Sequence, residues 1–125
     1  MANIEGVLSQ IMQLNGALGA CIVDSNSGMM LGSTGHRGVA SGGVDMEVAA
    51  AGNTEVVRAK RKTIASLELN DQIEDILITL GKQYHLIRPM AAREGLFVYL
   101  VLDRERANLA LGRHRLAEIE AGLIL

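Results

Sequence analysis

Aromatic side chains are almost missing from this 125-residue chain: Tyr84, Phe97 and Tyr99 are the whole complement, and there is no tryptophan. The core must therefore be aliphatic, built from Leu, Ile, Val, Met and Ala. The same scarcity argues against binding of single-stranded nucleic acid, which relies on aromatic platforms for base stacking. Cysteine occurs once, as Cys21, so no internal disulfide is available and nothing calls for an oxidising compartment. Proline also occurs once, at Pro89. Excess charge is lacking too: 12 Lys and Arg against 14 Asp and Glu leave a net charge of −2, with no general attraction to a phosphate backbone. No apolar run approaches the length of a membrane span, and the first residues lack the basic-then-apolar layout of a secretion signal. The expectation is a cytoplasmic, single-domain protein over residues 1–125, with no nucleic-acid partner and no membrane insertion.

What the chain does have is hydrophobic periodicity. Ile4, Val7, Leu8, Ile11, Met12 and Leu14 follow helical spacing between Asn3, a candidate N-cap, and the stop at Asn15-Gly16. Two short apolar runs, Gly19 to Asp24 and Met29 to Ser33, flank a Ser-Asn-Gly turn and predict a β-hairpin. Their nearly unbroken apolar character predicts strands covered on both faces. Gly32 to Gly43 contains five glycines and reads as a loop. Asp45 can cap a long second helix reaching about Glu68, with Met46, Ala49, Ala50, Val56, Val57, Ile64 and Leu67 on its buried side. Three further strands follow, over Ile73 to Leu80, Gln83 to Met90 and Leu96 to Leu102. The last is the most continuously apolar and so belongs at the sheet centre. Pro89 cannot donate to a ladder and must lie near a strand end or an edge. Arg104 to about Gly122 closes the domain as a third helix, with Leu109, Leu116, Ile119 and Leu123 in one stripe. The predicted order is α-β-β-α-β-β-β-α, an α/β (α+β) domain with a mainly antiparallel five-stranded sheet and helices on both faces.

That order carries a likeness. Together with the run Gly19-Ala20-Cys21-Ile22-Val23-Asp24, Gly28 after its turn, and the ending Leu100-Val101-Leu102-Asp103 followed by Asn108-Leu109-Ala110-Leu111, the chain resembles the roadblock (dynein light chain) family along essentially its whole length. The layout is similar to the profilin and longin folds, so fold alone does not fix function. The resemblance implies a dimer in which long central helices lie side by side and third strands pair. It also implies a scaffold or regulator, in several bacterial and archaeal members one acting on Ras-like small GTPases. For this chain the implied interface is Met46, Ala49, Ala50, Asn53 and Val57 on the second helix, with Ile76 and Ile78 on the third strand. Two local features fit independently. The Ala-rich half of the second helix permits close approach of another backbone, and a strand bearing Ile76, Ile78 and Leu80 at a sheet edge would be a liability unless paired.

Sharper chemical readings compete with plainer ones. The glycine-rich segment Gly32-Ser33-Thr34-Gly35-His36-Arg37-Gly38 could cradle an anion, but it lacks the Gly-Lys-Ser/Thr of a P-loop and reads as a connector. Cys21, mid-strand among Ala20, Ile22 and Val23, reads as a buried small hydrophobe and not as a nucleophile served by His36, His85 or His114. Those three histidines show no metal-type pairing. The carboxylates Glu68, Asp71, Glu74 and Asp75 read as charges around a solvated turn, although paired carboxylates can do acid–base work. Arg58, Lys60, Arg61 and Lys62 are either the wet face of a helix or a contact for an acidic partner, with Arg58, Arg61 and Lys62 the candidate contacts. Arg104, Arg106, Arg113 and Arg115 are interleaved with Glu105 and Glu118, as in exposed ion pairs. The expected function is a homodimeric module for a Ras-like small GTPase, with no cofactor and no active site of its own. Beside it stand a scaffold indifferent to nucleotide state and, further off, a small-ligand sensor.

Overall fold

The computed structural model of the chain describes residues 2–35, 39–91 and 93–125. Three helices and five strands run in the order α1 (Ile4–Ile11), β1 (Ala17–Asp24), β2 (Met29–Ser33), α2 (Met46–Ser66), β3 (Ile76–Thr79), β4 (Gln83–Pro89), β5 (Leu96–Asp103) and α3 (Leu109–Ala121). The sheet order is β2-β1-β5-β4-β3, and every neighbouring pair is antiparallel. This is the expected architecture, and β5 is its central strand.

Short polar side chains start each helix, because the first turn's N–H groups have no partner inside the helix. Asn3 accepts from Gly6 N–H at 2.8 Å, Asp45 from Glu47 at 3.0 Å and Val48 at 3.3 Å, and Asn108 from Leu111 at 3.1 Å. Three boundaries differ from the expected ones. α1 ends at Ile11, not at Asn15, and Gly16 turns the chain at a φ of +82°, with Ala107 so close that a Cβ there would lie 2.8 Å from its nitrogen. α3 begins only after Asn108, because Asp103 first closes a turn: its side chain accepts from Glu105 N–H at 3.0 Å, and its carbonyl accepts from Ala107 at 2.9 Å. β3 starts at Ile76, three residues later than predicted, because Asp75 is held to α3 by a two-pronged pair with Arg113, both bonds 2.8 Å. That pairing raises the Arg113 guanidinium further above its ordinary value.

Alternation along β5 builds two cores. Leu96, Val98, Leu100 and Leu102 face α1 and α3, packing with Ala20, Ile22, Leu86, Val7, Leu8, Ile11 and Leu116. Phe97, Tyr99 and Val101 face α2, packing with Cys21, Val23, Ile87, Met46, Ala50 and Val57. Each fully buried aliphatic or aromatic side chain contributes about 1.5–3 kcal/mol by leaving water, which makes the double-sided β5 the main source of cohesion. Coverage on both faces holds for β1 but not for β2. β2 is an edge strand, with Met29 68% and Leu31 43% exposed. The glycine-rich stretch before α2 partly rejoins the fold. Val39 bridges to Asp45, and Ala40 is buried so close to Gly19 that a Cβ on that glycine would sit 2.1 Å from the Ala40 Cβ. His36, Arg37 and Gly38, within the proposed anion cradle, lie outside the described residues.

Candidate partner-binding face

The groups that could do chemistry are dispersed. Cys21 is fully buried, and burial pushes its thiol up to about 12. Since thiolate is the reactive form, the folded protein should resist a thiol reagent that reacts fully once the chain is denatured. Fast labelling of the native protein would contradict this. His114 is exposed and sits 3.5 Å from Glu118 on the same helix, whereas His85 lies in the sheet. Among the described residues no group of three His, Cys, Asp or Glu side chains is arranged to hold a metal. The acidic turn divides: Asp75 pairs with Arg113, while Glu68, Asp71 and Glu74 are exposed.

The basic residues of α2 are partly tied into the fold. Arg58 donates to the Asn26 carbonyl, and Arg61 donates to Ser25 Oγ at 3.4 Å, so both brace the turn between β1 and β2. Lys62 is exposed on the same flank as Arg58. Arg104, expected on a helix, instead donates to the Leu80 carbonyl at 2.8 Å and lies 5.1 Å over the Tyr84 ring.

The residues expected at a dimer interface divide into two sets. Met46, Ala50 and Val57 are 0%, 1% and 0% exposed, enclosed by the sheet core of their own chain. They leave no side-chain surface for a second copy. Ala49, Asn53, Ile76 and Ile78 are half-buried at the margin of that core. A helix turns once every 3.6 residues, so Val48, Gly52, Val56, Ala59 and Thr63 form one outward flank of α2. This flank is small or apolar, and Val48 is 69% exposed. Glu55, Arg58 and Lys62 occupy the other flank. A periodicity reading finds the apolar residues of α2 but cannot divide alanines between inside and outside.

α2 lies across β1 and β2, which leaves the β4–β3 end of that sheet face thinly covered. Ile76 and Ile78 of β3, with His85 of β4, are half-exposed there, and the outer edge of β3 pairs with no strand among the described residues. A chain of polar groups crosses this area. Gln83 Nε2 donates to the Gly42 carbonyl at 3.3 Å, His85 Nε2 lies 2.9 Å from Gln83 Oε1, and Tyr99 Oη lies 2.9 Å from His85 Nδ1. The His85 and Tyr99 rings meet edge-on, with centroids 5.4 Å apart. Burial lowers the His85 pKa below its ordinary value. Burial first and Cys21 second raise Tyr99 to about 12, while the Asn53 side chain opposes that rise.

Two open cavities lie elsewhere. One of about 580 Å³ sits between the end of α2, residues 71–74 and the end of β4, with Arg61, Ile64, Arg88 and Met90 in its wall. Arg88 Nε bonds Glu120 Oε1 at 3.2 Å, and Glu120 is 2% exposed. The other, about 590 Å³, lies between α1, the β2 edge and Ile124-Leu125. No helix among the described residues is long and apolar enough to cross a membrane.

No protein-family profile matches the sequence, and no curated protein matches it. Solved structures do match. The chain is similar to a Roadblock/LC7 domain from Streptomyces avermitilis, at 13% identity over 96% of this chain and 93% of that one, with a TM-score of 0.77. It is similar to MglB of Myxococcus xanthus, at 17% identity over 94% and 89%, with a TM-score of 0.78. A third similar structure, MglB in a tetrameric arrangement, has 16% identity over 94% and 88% and a TM-score of 0.69. The fold is that of the Roadblock/LC7 domain.

Proposed function

We propose that this chain, a Roadblock/LC7 fold without an active site of its own, works as a homodimeric binding module for a Ras-like small GTPase. The observation that carries the reading is the face left open beside α2: an apolar helix flank, half-buried isoleucines and a strand edge with no partner among the described residues lie together. An open edge of this kind invites pairing, and a second copy would pair it and cover the apolar flank at once. Ala49 and Asn53 of α2, with Ile76 and Ile78 of β3, are the contacts. Met46, Ala50 and Val57 support them from beneath. The likeness to MglB and the sequence resemblance to a family with GTPase regulators point to the partner class. Arg58, Arg61 and Lys62 supply a basic patch for an acidic region of that partner.

Such a module acts by differential affinity, since binding both nucleotide states equally would shift neither. If hydrolysis is stimulated, the module does it by positioning the partner's own catalytic groups. The test is binding of the purified protein to small GTPases of the same organism, loaded with GDP or with a non-hydrolysable GTP analogue. Stronger binding to the triphosphate form is the expected result. Equal binding would make the protein a scaffold blind to nucleotide state, and no binding to any of them would remove the GTPase from the account.

A further inference from the structure

The polar chain on the open face fixes its protons in turn around a neutral histidine. The Gly42 carbonyl can only accept, so Gln83 must turn its NH2 toward it and offer Oε1 to His85. His85 Nε2 must then carry the proton. A neutral ring leaves Nδ1 bare, and Tyr99 must donate its O–H to it at 2.9 Å. One carbonyl thus fixes an amide, a tautomer and a hydroxyl in turn, all for an uncharged histidine.

We propose that His85 makes the dimer of this chain pH-sensitive, with the neutral ring favouring assembly and the imidazolium opposing it. This rests on the dimer reading above. A proton on Nδ1 would set N–H against O–H. The Tyr99 hydroxyl would have to reverse and accept, and its own proton would have to turn to the Asn53 amide beside a ring that is 1% exposed. In one copy His85 is only half-buried, so water reaches it and softens this cost. A second copy laid over Ile76, Ile78 and the α2 flank removes that water, and the charge then costs more in the dimer than in the monomer.

The groups facing the ring are mostly uncharged. β3 presents Ile78, paired across the strand, and β5 presents Val101 and Tyr99, with the Asp103 carboxylate two positions beyond, across from Gln83 and held by the Glu105 N–H. β1 contributes the Cys21 thiol, un-ionised at the pH where a histidine titrates, and α2 contributes the Asn53 amide beside Tyr99. Among the basic residues of α2, Lys60, two helical turns beyond Asn53, is the one on Asn53's side of the helix. No carboxylate among the described residues bonds to His85. The reference is the monomer, where burial already holds His85 below its ordinary value, so the contribution to the dimer is complete above the monomer's value and is lost as pH falls from there through the still lower one of the dimer.

The test is sedimentation analysis of the full chain and of His85→Gln at about pH 7.5 and about pH 5.5, with circular dichroism at both. The expected result is a wild-type dimer that weakens on the order of ten-fold or more at the lower pH while its secondary structure persists. His85→Gln, which can still bond but cannot titrate, should dimerise equally at both. A wild-type dimer of unchanged strength overturns the inference and leaves the dimer standing. Equal weakening in the variant overturns it as well, by assigning the effect to other groups. A monomer at both pH values overturns the dimer reading itself.

Discussion

Aspartate at Ala50 should remove a large part of the fold's stability, whereas aspartate at Val48, two positions away, should leave a well-folded monomer. Both residues lie in the first two turns of α2, and both look like interface candidates in an Ala-rich helix. The structure separates them. Ala50 is 1% exposed against the sheet core, among Cys21, Met46, Val57 and Tyr99. A carboxylate there would have no cation and no donor built to receive it. Burying such a charge costs on the order of 3–5 kcal/mol, a large part of the roughly 5–15 kcal/mol that holds a domain together. Val48 is 69% exposed at the third position of the helix. A negative charge near a helix N-terminus is mildly favourable, so the fold should change by no more than about 0.5 kcal/mol. In the proposed dimer the same carboxylate would enter an apolar helix contact twice, once from each copy. Urea denaturation followed by circular dichroism reads the fold, and sedimentation reads the assembly. A well-folded Ala50→Asp dimer would refute the core assignment. A Val48→Asp protein that stays fully dimeric would move the interface off this flank.

The contrast shows where sequence reading stops. Element order was legible because two periods are present, 3.6 in α1 and near-continuous apolarity in β1 and β5, and because Asn3 and Asp45 are recognisable caps. The inward face of α2 was not legible, since Ala49, Ala50 and Ala51 are alike in hydrophobicity and only packing ranks them half-buried, buried and exposed. Nor was the start of β3. Ile73 continues the apolar pattern, but the Asp75–Arg113 pair, formed between residues 38 apart, holds the chain off the ladder until Ile76. Reading β2 as doubly covered failed because apolar content cannot distinguish a central strand from an edge that a partner covers or leaves bare. Most of the candidate face depends on such distant contacts. His85 was visible as a lone histidine, but its setting comes from Gln83, Tyr99 and a loop carbonyl 43 residues upstream.

Arg88→Met should be the most damaging single substitution outside the hydrophobic core. Glu120 would pass in a sequence for one more solvated helix charge, yet only 2% of its side chain is exposed, and Arg88, 32 residues earlier on β4, is 15% exposed. Their one bond, 3.2 Å from Nε to Oε1, is the compensation that Glu120 receives, since Oε2 is buried without a partner among the described residues. Removing the arginine leaves a carboxylate in a nearly water-free site, a loss of about 3–5 kcal/mol. Replacing both members with apolar residues, Arg88→Met with Glu120→Leu, should recover most of that loss and end within about 1 kcal/mol of the parent, because a buried pair with an unsatisfied oxygen gains little over good packing. The three variants and the parent form a double-mutant cycle, read from urea midpoints at constant slope. Arg88→Met as stable as the parent would mean that water reaches Glu120. A double variant as unstable as Arg88→Met would mean that the site needs the pair's shape and not only its charge balance.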